Sequence, residues 1–197
     1  MRKVYFFLTI AALVPLLLFI GCATDRYAVQ QKEVPPMTLS EKGITVTVNY
    51  LTKDQLYERY GERNNPFIPP ASLGGFNQAI VFDILIESSI TADFILKYAE
   101  LQAEGKVEIP KNIFHLGRYW EMELRKGDTP DNSLGRIKKS IKKNLIPNRV
   151  SLNAGSSYSG LVVFLSKFPR YGNYSLFIPL VNKNGEIIHN FRFDFEL

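Results

Sequence analysis

Apolar and polar residues alternate from Gly43 onward in a way that predicts strands for most of the chain. Ile44, Val46, Val48 and Tyr50 alternate with Thr45, Thr47 and Asn49, the period of two expected of a half-buried strand. The pattern recurs in Ala79–Glu87, where Phe82, Ile84 and Ile86 share one face and Val81, Asp83, Leu85 and Glu87 the other. Shorter runs at Phe94–Leu101, Lys106–Ile109, Arg118–Leu124, Arg149–Leu152 and Leu161–Leu165 predict further strands. At the C-terminus, Tyr174–Val181 and Ile187–Leu197 flank Asn182–Glu186, and Phe191, Phe193 and Phe195 form a wholly aromatic face. Asn184–Gly185 predicts a type I′ hairpin turn with both residues at positive φ. About eight short strands separated by turn signals predict a mainly β chain, an antiparallel β-sandwich of immunoglobulin-like form. Such sandwiches commonly serve as adhesion or assembly modules, an association at the level of the fold.

Two segments follow a helical period instead. Thr52–Lys–Asp–Gln55 reads as a capping box opening a short helix that Gly61 closes. Between Thr129 and Pro147, Leu134, Ile137, Ile141 and Leu145 fall within about 80° of one another on a helical wheel. Arg136, Lys138, Lys139, Lys142 and Lys143 occupy the rest of that wheel with no acidic residue among them. One reading is a crossover helix packed on the end of the sandwich with its basic face in water. The other is a contact with an anionic membrane surface, where each Lys or Arg contributes about 1 kcal/mol.

Before Gly43 the pattern changes. Arg2 and Lys3 precede an uncharged apolar run from Val4 to Ile20, followed by Gly21 and the only cysteine, Cys22. A positive n-region, an apolar h-region and a small residue at the boundary make a secretory signal. Leu18–Phe–Ile–Gly–Cys22 resembles the lipobox of bacterial lipoproteins. The resemblance implies removal of residues 1–21, diacylglycerol on the Cys22 thiol and an acyl chain on its new amino group. Ala23, where an Asp would favour inner-membrane retention in that family, implies the outer membrane in a cell with two membranes. The alternative is an uncleaved anchor, for which seventeen apolar residues span roughly 26 Å against a ~30 Å hydrocarbon core. Either way the positive end stays in the cytoplasm and the rest of the chain lies in the cell envelope. Residues 22–42 are polar, with Pro35–Pro36, and read as a lipidated tether. Residues 43–197 read as the sandwich domain.

Composition narrows the function classes. Fourteen Phe and ten Tyr suit strands. With Cys22 as the sole cysteine, the domain holds no internal disulfide and depends on its apolar core. The net charge of +5 falls by two when Arg2 and Lys3 leave, too mild a balance to imply nucleic acid. Ser140–x–x–Lys143 has the spacing of a serine nucleophile motif, but the companion Ser-Asp-Asn and Lys-Thr-Gly elements are missing. The two histidines, His115 and His189, lie far apart and lack metal-ligand spacing. Aromatics at Tyr57, Tyr60, Phe67, Tyr158, Phe168 and Tyr171 flank turns, either capping the core or offering a partner surface. The expectation is a non-enzymatic, cofactor-free envelope lipoprotein that binds another envelope protein as an assembly or tethering module. The alternative is a carrier or sensor of an apolar ligand held between the sheets.

Overall fold

The computed structural model describes residues 33–62, 65–68, 78–125, 132–166 and 172–197. Its elements are β1 (Met37–Glu41), β2 (Ile44–Tyr50), α1 (Lys53–Tyr60), β3 (Gln78–Ser88), β4 (Ala92–Ile95), β5 (Glu100–Ala103), β6 (Lys106–Glu108), α2 (Ile113–Arg125), α3 (Asn132–Asn144), β7 (Arg149–Leu152), β8 (Ser156–Ser166), β9 (Asn173–Val181) and β10 (Ile187–Glu196). A 3₁₀ turn, Leu96–Tyr98, separates β4 from β5.

The strands form two antiparallel sheets. The first runs β1-β2-β3-β8; in the second, β9 is central, with β10 on one side and β4 and β5 on the other. β7 extends β4 and β6 extends β5. In immunoglobulin terms β2, β3 and β8 stand in the order A-B-E, and β4, β9 and β10 in the order C-F-G. Pro179 falls where β9 changes partners, between its pairing with β5 at Ser175–Phe177 and with β4 at Leu180–Val181. Its missing N–H therefore leaves no rung of the ladder unmade on that side.

The inner faces of both sheets enclose the main core. Ile44, Val46, Val48, Ile80, Phe82, Ile84, Ile86, Val162 and Phe164 meet Phe94, Leu101, Leu176, Ile178, Leu180, Phe191, Phe193 and Phe195. Phe82 is the hub, with ring contacts to Tyr50 at 5.9 Å, Phe164 at 6.2 Å and Phe195 at 5.0 Å. The alternation on β2, β3 and β10 thus emerges as expected.

A second core lies on the other face of the first sheet. Val81, Leu161, Val163 and Leu165 point outward and are covered by Leu56 of α1, Leu116, Tyr119 and Trp120 of α2, and Ile137 and Ile141 of α3. The described residues therefore form three layers, one sheet, a second sheet and a helical layer. The helices also close the open edge of β8: Lys111 N–H donates to the Val163 carbonyl at 2.7 Å and Ile146 N–H to the Leu161 carbonyl at 3.0 Å. An uncovered edge strand would invite pairing with another chain.

Several expectations need correction. Arg118–Leu124 is not a strand but lies within the thirteen-residue helix α2. Asn112 opens that helix, its Oδ1 accepting from His115 N–H at 2.8 Å, and Leu116, Tyr119 and Trp120 give it a buried stripe at i, i+3 and i+4. Among the described residues the fold therefore holds the expected short helix and basic helix and, in addition, α2. Phe94–Leu101 is broken by the 3₁₀ turn, where Leu96 N–H leaves the ladder to bond the Asn148 carbonyl at 3.0 Å. The C-terminal hairpin uses a different turn. Only Gly185 has positive φ (85°), and Asn182 Oδ1 accepts from the N–H groups of Asn184 and Glu186 at 2.9 and 3.0 Å. This is a three-residue loop closed by a glycine in the left-handed region.

Type I′ geometry occurs instead at Lys42–Gly43 and Glu104–Gly105, where both residues of each pair have positive φ. The Lys42–Gly43 turn joins β1 to β2, so folded structure begins inside the stretch read as tether. Thr38–Thr47 and Ser40–Thr45 hydroxyl pairs at 2.9 and 2.8 Å lace the two strands on their outer face. Met1–Lys32, with Cys22 and the stretches read as a signal and as resembling a lipobox, lies outside the described residues, as do 69–77 and 126–131. No helix among the described residues is long and apolar enough to cross a membrane.

Candidate functional site: the groove between α2 and α3

The capped start of α2 and the end of α3 are both pinned to β8, so the two helices lie side by side across the outer face of the sheet. On α3 the predicted stripe is inward: Ile137, Ile141 and Leu145 are buried and Leu134 is half-buried. The crossover helix therefore packs on the flank of the sandwich rather than on its end. Arg136, Lys138, Lys139, Lys142 and Lys143 are all exposed. Lys138 and Lys142 border the inward stripe and face α2, whereas Arg136, Lys139 and Lys143 point away.

Between the helices runs an open groove of about 650 Å³. Its floor is Ile113, Gly117 and Ile141; its rims are Phe114, Arg118, Glu121 and Met122 on α2, and Lys138 and Lys142 on α3. Phe114 is 67% and Met122 48% exposed, two turns apart on a helix that buries Leu116, Tyr119 and Trp120. Lys138 Nζ lies 3.4 Å from Glu121 Oε2 across the groove, a solvated pair worth less than about 1 kcal/mol. The surface can hold an apolar group between cations; it offers no nucleophile with a base.

Sequence reasoning found the α3 half of this surface and missed Phe114, Arg118 and Met122. A signal was present: Asn112 is a helix-start residue, and Ile113, Leu116 and Trp120 follow it at helical spacing. The run around Trp120 lacks the strict alternation of a strand.

The remaining candidates disperse. Ser140 is half-buried while Lys143 is exposed, and Asn144 Nδ2 donates to the Ser140 carbonyl at 2.8 Å and lies 3.4 Å from its Oγ. His115 is exposed on α2, its ring 5.9 Å from Phe114, and His189 packs on Phe191 at 4.6 Å. Among the described residues no three His, Cys, Asp or Glu side chains converge as metal ligands. Of the turn aromatics, Phe67 is buried against Tyr60 at 4.7 Å and caps the second core, while half-buried Tyr158 packs on the first. Phe168 and Tyr171 lie outside the described residues.

Two charged groups are held by the sandwich itself. The Arg149 guanidinium, 2.5 Å from Asp93 Oδ2, holds the Asp93 carboxyl below the usual carboxylate range, with a further hydrogen bond from Ser151. The Ser175 hydroxyl does the same for Asp194, with Arg192 adding to it.

No family model and no curated protein matches the chain. Among solved structures it is similar to the yjhA protein from Bacillus subtilis, at 10% identity and a TM-score of 0.41, over 82% of this chain and 96% of that one. A likeness of that degree carries nothing about chemistry to this protein.

Proposed function

We propose that this chain is a non-enzymatic lipoprotein of the cell envelope, anchored through acyl chains on Cys22 and acting as a binding, assembly or tethering module. The sandwich is its rigid scaffold and the α2–α3 face its working surface. One observation carries the reading: Phe114 and Met122 stand exposed over an open groove on a domain that otherwise packs its helices closely. Exposed apolar groups around a concavity mark interaction sites more often than solvated surface.

The carrier alternative is less well supported. Phe82, Phe164, Phe195 and Tyr50 occupy the space between the sheets with tilted and edge-to-face contacts, so an apolar ligand there would have to displace side chains packed at interior density.

A photo-crosslinking residue placed at position 114 or 122 of the full chain in cells tests the proposal. A reproducible adduct to another envelope component is expected, and none from a control at exposed position 187. Equal background labelling from all three positions would overturn it. Labelled palmitate should enter the native chain and not Cys22→Ser; its absence from both would remove the anchor.

A further inference from the structure

We infer that the α2–α3 face docks on an anionic lipid surface, with Phe114 and Met122 entering the headgroup boundary and the flanking cations meeting lipid phosphates. The inference deepens the proposed function and rests on it for one point, that the chain is held at a membrane.

Charge is the first argument. α3 carries Arg136, Lys138, Lys139, Lys142 and Lys143 and no carboxylate, and Arg118 extends this field onto α2. Glu121, the acid on the groove rim, is already faced by Lys138. The second argument is where the apolar groups stand. Phe114 and Met122 lie two turns apart, about 12 Å along one helix, and share the groove rim with cations. Exposed Val107 and Ile109, by contrast, sit at the β6 edge beside Glu108 as well as Lys106. Cations around protruding apolar side chains are the composition of an interfacial surface.

The form of the charge favours lipid over an acidic protein. All five α3 cations are exposed and sit on long, flexible side chains, suited to a fluid array of phosphates rather than to fixed carboxylates. A weak surface also suffices once the chain is tethered. About fifteen residues separate Cys22 from β1, so the domain stays within roughly 50 Å of the bilayer, and its local concentration there is high.

The test uses the full chain bearing Met122→Cys labelled with an environment-sensitive nitrobenzoxadiazole dye, the unsubstituted chain treated identically serving as blank. Vesicles contain either phosphatidylglycerol with phosphatidylcholine or phosphatidylcholine alone. On the anionic vesicles the dye should shift to the blue and be quenched by nitroxides on the acyl chains. Both effects should fall severalfold when Lys138, Lys139, Lys142 and Lys143 are changed to Gln, or when salt is raised. Phe114→Ser should weaken quenching without changing charge. Identical emission on the two kinds of vesicle overturns the inference, as does a shift that requires an added envelope protein. A chain that floats with vesicles but shows no shift removes the docking surface alone. A chain that floats with neither kind removes both the anchor and the docking surface.

Discussion

Gly160 of β8 lies directly beneath Ile146, at the point where α3 ends and joins the sheet. A Cβ on Gly160 would stand 2.9 Å from Ile146 Cγ1 and 3.2 Å from the Asn144 carbonyl oxygen. Ile146 is completely buried and its N–H is bonded to the neighbouring Leu161 carbonyl, so neither side of the contact can give easily. Gly160→Ala should destabilise the domain by about 1–3 kcal/mol, read as a lower urea midpoint with an unchanged slope. Because this contact sets the height of α3 over the sheet, the variant should also alter solvent access at Lys142, measurable by its rate of chemical acetylation.

Trp120 is buried and Phe114 exposed on α2, and the two should respond differently to truncation. The Trp120 indole N–H donates to the Pro66 carbonyl at 2.8 Å from a site 2% exposed. Trp120→Phe leaves that carbonyl unpaired and part of the pocket empty, a loss of about 2–4 kcal/mol. Phe114→Ala and Met122→Ala should stay within about 0.5 kcal/mol of the native chain. Equal losses in thermal melts of all three would mean that α2 does not present these faces as described.

Acid should weaken the β4–β7 pairing. The carboxyl of Asp93 titrates below its unfolded value because Arg149 and Ser151 bond its charged form. Its contribution is therefore present above about pH 3.9 and lost as pH falls through the lower folded value. Asp93→Asn should melt earlier than the native chain near neutrality, and the gap should close below about pH 4.

Alkali acts at the other end of the scale on Tyr50. Burial, with the Tyr174 phenol beside it, pushes its phenol up to about 12. Stability from keeping it neutral is complete below about pH 10 and lost as pH rises toward 12, an effect of about 2–3 kcal/mol. Near-ultraviolet titration should show a tyrosine ionising near pH 12 that is missing from Tyr50→Phe, and that variant should lose less stability across the same range.

Much of the first sheet was legible because its evidence is local. Ile44–Tyr50 alternates cleanly, and all its apolar members are buried. The Thr52–Gln55 capping box forms in full, with Gln55 N–H donating to Thr52 Oγ1 and Thr52 N–H to Gln55 Oε1. β1 escaped notice because four of its five residues are exposed, and an edge strand in water shows almost no apolar period. The basic face of α3 was legible from charge spacing alone, but its partner rim on α2 was hidden by the misread run around Trp120.

The sequence by itself determined which segments alternate, where Cys22 and its lipobox-like stretch lie, and that α3 carries cations on all but a narrow stripe. Each follows from a repeat of two, a repeat of 3.6 or a contiguous motif, all readable over a few residues. Only the tertiary structure decided that Val81, Leu161, Val163 and Leu165 turn a sheet's outer face into a second core. It alone decided that this core sets α2 and α3 side by side with Phe114 and Met122 beside Lys138 and Lys142. The physical reason is that a strand's two faces look alike in sequence when both are apolar. Which layer covers each face depends on contacts between residues far apart in the chain.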